Sequence, residues 1–260
     1  MEAATKDRIL DNYHRVLGQI EQAARSVGRD HGKIRLVVVT KGHPAESVRQ
    51  AIEAGLRVFG ENYAEEGIQK MSACSGQDNL EWHMVGHIQS RKAQLVCDHY
   101  QYVHSLDSLR LAKRLDHFMR SAYLTPVEGR AQIPAELDRR LPVLLECNVS
   151  GEETKFGWPA WKEMEWEDLL DDIAQVLALP NLKVRGLMTM APFLANPEQT
   201  RPFFQRLRRL QQFMLQHFPQ SEWQELSMGM SDDFMVAVQE GATLVRIGTA
   251  IMGPRPGQSD

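Results

Sequence analysis

No stretch of the 260-residue chain approaches the roughly 18 consecutive apolar residues of a membrane-spanning helix. The opening segment MEAATKDRILDNYH likewise has no apolar core of the kind a signal peptide carries. Cysteine is scarce. Cys74, Cys97 and Cys147 are odd in number and lack C-x-x-C spacing, which argues against a disulfide framework or a zinc knuckle and for free thiols in a reducing compartment. Positive charge is not in excess either. Against 34 Asp and Glu the 30 Lys and Arg leave a formal net charge of −4, so no whole-protein field attracts nucleic acid or anionic lipid. A Pro-, Gly- and Ser-rich linker long enough to divide the chain is also missing. The expectation is a soluble, cytoplasmic protein, one domain over residues 1–260, with neither nucleic acid nor a membrane as partner.

With 43% hydrophobic and 25% charged residues, the composition is that of a globular protein with a substantial core. Ile9, Leu10, Tyr13, Val16, Leu17, Ile20, Ala24 and Val27 recur at helical spacing, predicting an amphipathic helix at about residues 3–28. The texture then changes. IRLVVVT (34–40) is a short run rich in β-branched residues, apolar on both faces as a buried parallel strand must be. A helix from Pro44 to Ala54 follows, ended by Gly55. The alternation repeats with strands at 56–60, 80–86, 100–106, 142–150, 182–190, 223–229 and 243–248. Intervening helices fall near 63–72, 88–97, 107–121, 162–178, 197–217 and 232–240. Strand–helix alternation forces parallel pairing with right-handed crossovers, and eight such units close most simply into a barrel. The predicted fold is therefore α/β, a single (β/α)8 TIM barrel over about 34–255 with an extra N-terminal helix that plugs or flanks it. The segment 122–141 reads as a surface excursion.

In such barrels the working residues sit at the carboxyl ends of the strands. Lys41, at the end of the first strand, either points its ammonium into the mouth, where desolvation makes the amine a nucleophile, or pairs with a carboxylate such as Glu61, or lies in solvent. LSMGMSDD (226–233) leads into a helix. Its N–H groups and the Ser231 hydroxyl suit an anion, or Ser231 is an ordinary N-cap with Asp232 and Asp233 complementing the helix dipole. Gly248 and Thr249 supply a second turn of donors after the last strand, in the quadrant where barrels frequently bind phosphate. Arg246 is either a core-edge ion-pair partner or a fixed cation facing a ligand. His83 and His87 lack a third ligand at plausible spacing, so no metal is expected. Trp158, Trp161 and Trp166 read as helix-face packing.

Seven segments taken together carry a resemblance. VVVTKGHP (37–44), FGENYAEE (59–66), WHMVGHIQSRK (82–92), NVSGEETKFGW (148–158), GLMTM (186–190), LSMGMSDDF (226–234) and VRIGTAIMGPR (245–255) resemble, in order and spacing, the pyridoxal-phosphate homeostasis proteins. That resemblance implies an alanine racemase-like barrel of the N-terminal-domain type, with pyridoxal 5′-phosphate held covalently on Lys41. It assigns Ser227, Gly229, Ser231, Gly248 and Thr249 to the phosphate loops, sets Arg246 against the pyridine nitrogen, and has Asn62, His83 and His87 lining the pocket. VTKGHP departs from the VSKTKP-like stretch of many relatives, and the 122–141 excursion is longer than expected, which leaves the shape of the mouth open.

An always-charged arginine keeps the pyridine nitrogen unprotonated and the electron sink weak, which disfavours broad carbanion chemistry but not racemisation. Racemisation needs a second acid/base opposite the lysine. In the racemases a tyrosine from an additional β-domain and partner subunit supplies it. This chain ends at Asp260, and Tyr63 substitutes only if the fold sets it on that face. The expectation is a monomeric binding protein rather than an enzyme, involved in intracellular pyridoxal-phosphate homeostasis and delivering the cofactor to apo-enzymes. The alternatives are a pyridoxal-phosphate-dependent amino-acid racemase and a cofactor-free Schiff-base aldolase.

Overall fold

The computed structural model describes residues 5–122 and 140–256. Most of the 122–141 excursion lies outside the described residues. Helix α1 (Lys6–Ser26) precedes a series that alternates as expected: β1 (Arg35–Val39), α2 (Ala45–Glu53), β2 (Val58–Glu61), α3 (Ala64–Ala73), β3 (Glu81–Met84), α4 (Ala93–His99), β4 (Tyr102–Leu106) and α5 (Leu109–Ala122). It continues through β5 (Leu141–Asn148), β6 (Trp158–Pro159), α6 (Leu170–Leu177), β7 (Leu182–Met188), α7 (Arg201–His217), β8 (Glu225–Ser227), α8 (Phe234–Gln239), β9 (Leu244–Ile247) and α9 (Thr249–Met252).

The strands lie in the order β4-β3-β2-β1-β9-β8-β7-β5, and β4 pairs with β5 to close the barrel. Every pairing is parallel. Closure leaves no sheet edge, and it divides each strand's side chains between two cores. Outward residues such as Val38, Phe59, Val103, Leu145 and Val245 meet the surrounding helices. Inward ones, Val37, Val39, Val85, Tyr102, Leu144, Met188 and Leu244, fill the barrel. A buried side chain of this size contributes about 1.5–3 kcal/mol. The two-fold burial explains why the strands read as continuous apolar runs rather than alternating ones.

Helix α1 flanks the barrel instead of plugging it. It packs on α2, α8 and α9 through Ile9, Val16, Ile20, Ala23 and Ala24, and Asn12 and Arg15 donate to the carbonyls of Ile251 and Ala250 at 3.1 and 2.8 Å. The three tryptophans do not share a helix face. Trp158 sits in β6 beside β5, because the residue before a proline is steered to extended backbone and Pro159 follows. Trp161 packs over Gly151, and Trp166 donates its Nε1–H to the Ala160 carbonyl at 3.1 Å. Among the described residues no helix is long and apolar enough to cross a membrane.

Candidate cofactor site

Lys41 follows β1 by two residues, and the backbone on both sides of it is clamped. The buried Lys70 ammonium donates to the Thr40 carbonyl at 2.6 Å and to Glu61 Oε1 and Glu66 Oε1, each at 2.7 Å. Glu66 Oε1 in turn accepts from the Gly42 N–H at 2.6 Å. Thr40 Oγ1 donates to Glu61 Oε1 at 2.5 Å. Glu61 is thus taken by Lys70, and the Lys41–Glu61 pairing is set aside. Among the described residues no hydrogen bond or ion pair engages the Lys41 ammonium. Burial, followed by the charges of Arg255 and Arg246, lowers its pKa below that of an ordinary lysine, with Glu66 opposing. Gly42 adopts φ +74, and a Cβ there would meet Arg255 Cδ at 2.9 Å, so only glycine lets Arg255 lie this close.

The two small-residue turns come together beside that lysine. Strand β9 pairs with β1, with Ile247 opposite Val38. A Cβ on Gly248 would lie 3.2 Å from the Val39 carbonyl oxygen, which sets the Gly248-Thr249 turn next to the strand end carrying Lys41. Ser231 Oγ accepts from the Ala250 N–H at 3.3 Å and so joins the turn after β8 to the turn after β9. It is not a helix cap. α8 begins at Phe234, and residues 230–233 form a turn in which the Met230 N–H donates to Asp233 Oδ1 at 2.7 Å. That bond occupies the buried Asp233 carboxylate, while Asp232 is exposed. Gly229, at φ +95, packs against α8 where a Cβ would meet that of Ala237 at 2.6 Å. Ser231 opens on a cleft of about 420 Å³ that it shares with Arg15, Asp232 and Ala250.

Arg246 points into the barrel, 4% exposed, donating to Ser227 Oγ at 2.6 Å and to the Thr189 carbonyl at 2.9 Å. Burial brings its pKa down to about 10, with the carboxyls of Glu146 and Asp233 opposing the fall. His83 lies wholly inside the barrel. Its ring is engaged by Glu81 and by His104, each at 2.8 Å, so it reaches the mouth only through other side chains. Asn62 and His87 line a separate cleft of about 450 Å³ with Tyr63, Gln89 and Lys92. His87 Nδ1 pairs with Asp107 at 2.9 Å, and its ring stacks on Phe156 at 3.6 Å. Lys41, Ser231, Arg246, Gly248 and Thr249 thus belong to neighbouring strand exits, with Ser227 and Gly229 behind them, Asn62 after β2 on the other side of β1, and His87 after β3 beyond it.

Three groups were not singled out from the sequence. Glu146 points inward two residues beyond Leu144, a position that alternation along LLEC could have marked. It is 3% exposed, its Oε2 has no hydrogen-bond partner among the described residues, and burial raises its pKa to about 7 with Asp107 adding and Arg246 opposing. Lys70 and Arg255 become visible only once α3 and the chain end are packed against Lys41.

The model of the alanine racemase N-terminal domain matches residues 13–256. A curated relative in Aquifex aeolicus, named pyridoxal phosphate homeostasis protein, is 39% identical over 93% of this chain and 96% of its own length. One of the same name in Pseudomonas aeruginosa is 40% identical over 95% and 96%. The chain belongs to the pyridoxal phosphate homeostasis protein family. Among solved structures, PipY of Synechococcus elongatus, determined with PLP bound, is 32% identical over 90% of this chain and all of its own, with a TM-score of 0.73. An alanine racemase of Corynebacterium glutamicum shares the fold at 18% identity and a TM-score of 0.64, this chain covering 66% of it. The family's barrel and its relationship to the racemases are therefore both present here, and the relatives carry a homeostasis name rather than an enzyme's.

Proposed function

We propose that this chain holds pyridoxal 5′-phosphate at the barrel mouth, covalently on Lys41, and delivers it to apo-enzymes in the cytoplasm as a carrier rather than a catalyst. The observation that carries the reading is Lys41 itself. Its amine is half-buried, unengaged among the described residues, depressed in pKa by burial and two guanidinium groups, and set beside a pair of linked donor turns. The residues present fit the group. An aldehyde needs a deprotonated amine, a phosphate dianion needs fixed N–H and hydroxyl donors, and a pyridine nitrogen needs a donor, which Arg246 supplies. Bound there, pyridoxal phosphate supplies an aldehyde that condenses with Lys41 Nζ, a C=N bond replacing C=O with loss of water.

The chain's own groups define the carrier role. Lys70, Glu61 and Glu66 fix the backbone around Lys41. Ser231, Gly248 and Thr249 anchor the phosphate, Ser227 and Gly229 shape the turn behind it, and Arg246 holds the ring nitrogen unprotonated, limiting carbanion chemistry. Asn62 and His87 contribute the rim after β2 and β3, beside β1. Tyr63, the residue available as a second acid/base, is 64% exposed on the open cleft of Asn62 and His87 rather than in a closed pocket. The relatives' name and the PLP-bound structure of PipY support the cofactor, and three buried cysteines, none in a disulfide among the described residues, support a reducing compartment. The chain acts as a monomer in this reading.

Visible absorbance of the purified protein, abolished by borohydride and absent in Lys41→Ala, tests the linkage. Transfer of cofactor to an apo acceptor enzyme, followed by the acceptor's regained activity, tests delivery. Deuterium wash-in at Cα across D/L amino-acid pairs, above a Lys41→Ala control, would overturn the carrier reading in favour of a racemase.

A further inference from the structure

A file of buried polar side chains crosses the barrel from its basal end to its mouth, and the cofactor reading uses only the last two of them. Glu81 Oε1 lies 2.8 Å from His83 Nε2, His83 Nδ1 lies 2.8 Å from His104 Nε2, and His104 Nδ1 lies 2.8 Å from Ser227 Oγ. Ser227 Oγ accepts from Arg246 at 2.6 Å. His83, His104 and Ser227 are fully buried and Arg246 nearly so, whereas Glu81 is partly open to solvent at the basal end, paired there with Arg35 at 2.7 Å. Tyr102 fixes the rings without competing for their nitrogens. It stacks on His83 at 4.9 Å, meets His104 edge-on at 5.1 Å, and gives its hydroxyl proton to Glu225.

Only one arrangement of protons satisfies every link. Burial opposes ionisation of Glu81, but the His83 ring on Oε1 and the Arg35 guanidinium on Oε2 outweigh burial and hold the carboxyl below its ordinary range, so it accepts. Burial holds both histidines below the ordinary imidazole range, hence neutral with one proton each. His83 must then carry its proton on Nε2, which leaves Nδ1 as acceptor for an Nε2–H of His104. His104 Nδ1 in turn accepts the Ser227 hydroxyl proton, and the Ser227 lone pairs are left facing Arg246. The reverse polarity would need the guanidinium to accept, and it has no acceptor.

We propose that His83 and His104 are positioning residues for the ligand site: through Ser227 they hold Arg246 as an oriented, charged hydrogen-bond donor at the barrel mouth, with the Glu81 carboxylate as counter-charge at the opposite end. A guanidinium buried this deeply is costly unless its N–H groups meet acceptors, and an aligned chain of dipoles ending in an anion makes Ser227 a stronger acceptor than an isolated hydroxyl. The file explains two buried histidines that touch no carboxylate but Glu81. Its part at the ligand rests on the reading of Arg246 as facing bound pyridoxal phosphate, but the proton arrangement does not.

Nitrogen-15 NMR of the imidazole rings in the full-length protein without added cofactor, assigned with His83→Gln and His104→Gln, reads the arrangement directly. Both rings are expected as neutral Nε2–H tautomers at pH 7. An Nδ1–H tautomer or a doubly protonated ring at either position overturns the file. The second arm titrates pyridoxal phosphate into three proteins and follows its visible band. His104→Leu, which breaks the file, is expected to weaken binding roughly 10-fold, the worth of a hydrogen bond to a charged group, and to shift the band. His104→Gln, which retains one acceptor and one donor, restores both. Equal behaviour of the Leu and Gln variants, whether both unchanged or both impaired, overturns the positioning role. If the parent protein itself gives no band with pyridoxal phosphate, the cofactor reading fails while the tautomers still decide the file.

Discussion

The ammonium of Lys70 lies 2.7 Å from Glu61 Oε1, and neither side chain is more than 4% exposed. A pair shut away from water is stabilising only while both partners are present, because removing one strands the other's charge. Lys70 also holds the Thr40 carbonyl and, through Glu66, the Gly42 N–H, so it governs the peptides on each side of Lys41. Lys70→Met is expected to cost on the order of 3 kcal/mol in urea denaturation and to slow the reaction of Lys41 with pyridoxal phosphate. Adding Glu61→Gln removes the stranded carboxylate and recovers part of the stability. A Lys70→Met protein as stable as its parent would show that the pair contributes nothing.

After burial, Arg255 is the strongest influence lowering the pKa of Lys41. Its side chain lies over Gly42, so Arg255→Gln keeps most of the packing and removes the charge. The sign follows from which form reacts. Without the neighbouring cation the Lys41 pKa rises, and at pH 7 a smaller fraction is the free amine. Stopped-flow absorbance should show slower reaction with pyridoxal phosphate at pH 7 and a gap that narrows as pH rises toward 11. Equal rates at pH 7 would remove Arg255 from the account.

What could be read in advance was whatever local sequence dictates. The β-branched run 34–40, doubly buried, could only be a parallel strand, and eight such strands with helices between them leave few architectures open. Lys41, Arg246 and the Gly248-Thr249 turn were legible because strand ends in a barrel are also its mouth. The partners of those groups were not legible, since they depend on which inward side chains meet across the barrel. Glu61 was weighed as a mate for Lys41, yet Lys70, nine residues on and one helix turn past Glu66, reaches it first. Ser231 looks like a cap from its neighbours and serves instead to join two turns 19 residues apart. Trp166 and Trp158 share an apolar character, but Pro159 separates their conformations. His83 and His104, 21 residues apart, give no local signal of hydrogen bonding to each other.

Glu146 makes stability depend on pH in a predictable sense. Its carboxyl rises from 4.5 to about 7 in the folded barrel, burial being the main cause. Between those values the folded state keeps a proton that the unfolded chain has lost. Its contribution is therefore fully present below pH 4.5, declines as pH rises through that window, and is gone above about 7. The full span is worth about 3 kcal/mol. Glu146→Gln has no proton to lose. It should flatten the urea-denaturation stability between pH 4.5 and 7 and exceed the parent at pH 8, with little difference at pH 4.5. A parent and variant that run parallel from pH 4.5 to 8 would show that Glu146 ionises freely in the fold.

Pyridoxal and its phosphate ester share the aldehyde and the ring but differ in the group that the linked turns are proposed to hold. Ser231→Ala removes the hydroxyl that joins Ala250 to the turn after β8, and Thr249→Ala removes one at the start of α9. Hydrogen bonds to a charged acceptor are worth about 1.5–3 kcal/mol each, so either change should weaken pyridoxal phosphate by roughly 10-fold or more. Pyridoxal has no phosphate to lose, and its weaker affinity should be nearly the same in parent and variants. The comparison separates anchoring from folding, because a general disturbance of the mouth would lower both ligands together. Titration of each ligand, followed at the visible band, supplies the two constants. If the variants lose affinity equally for both ligands, the two turns do not hold the phosphate.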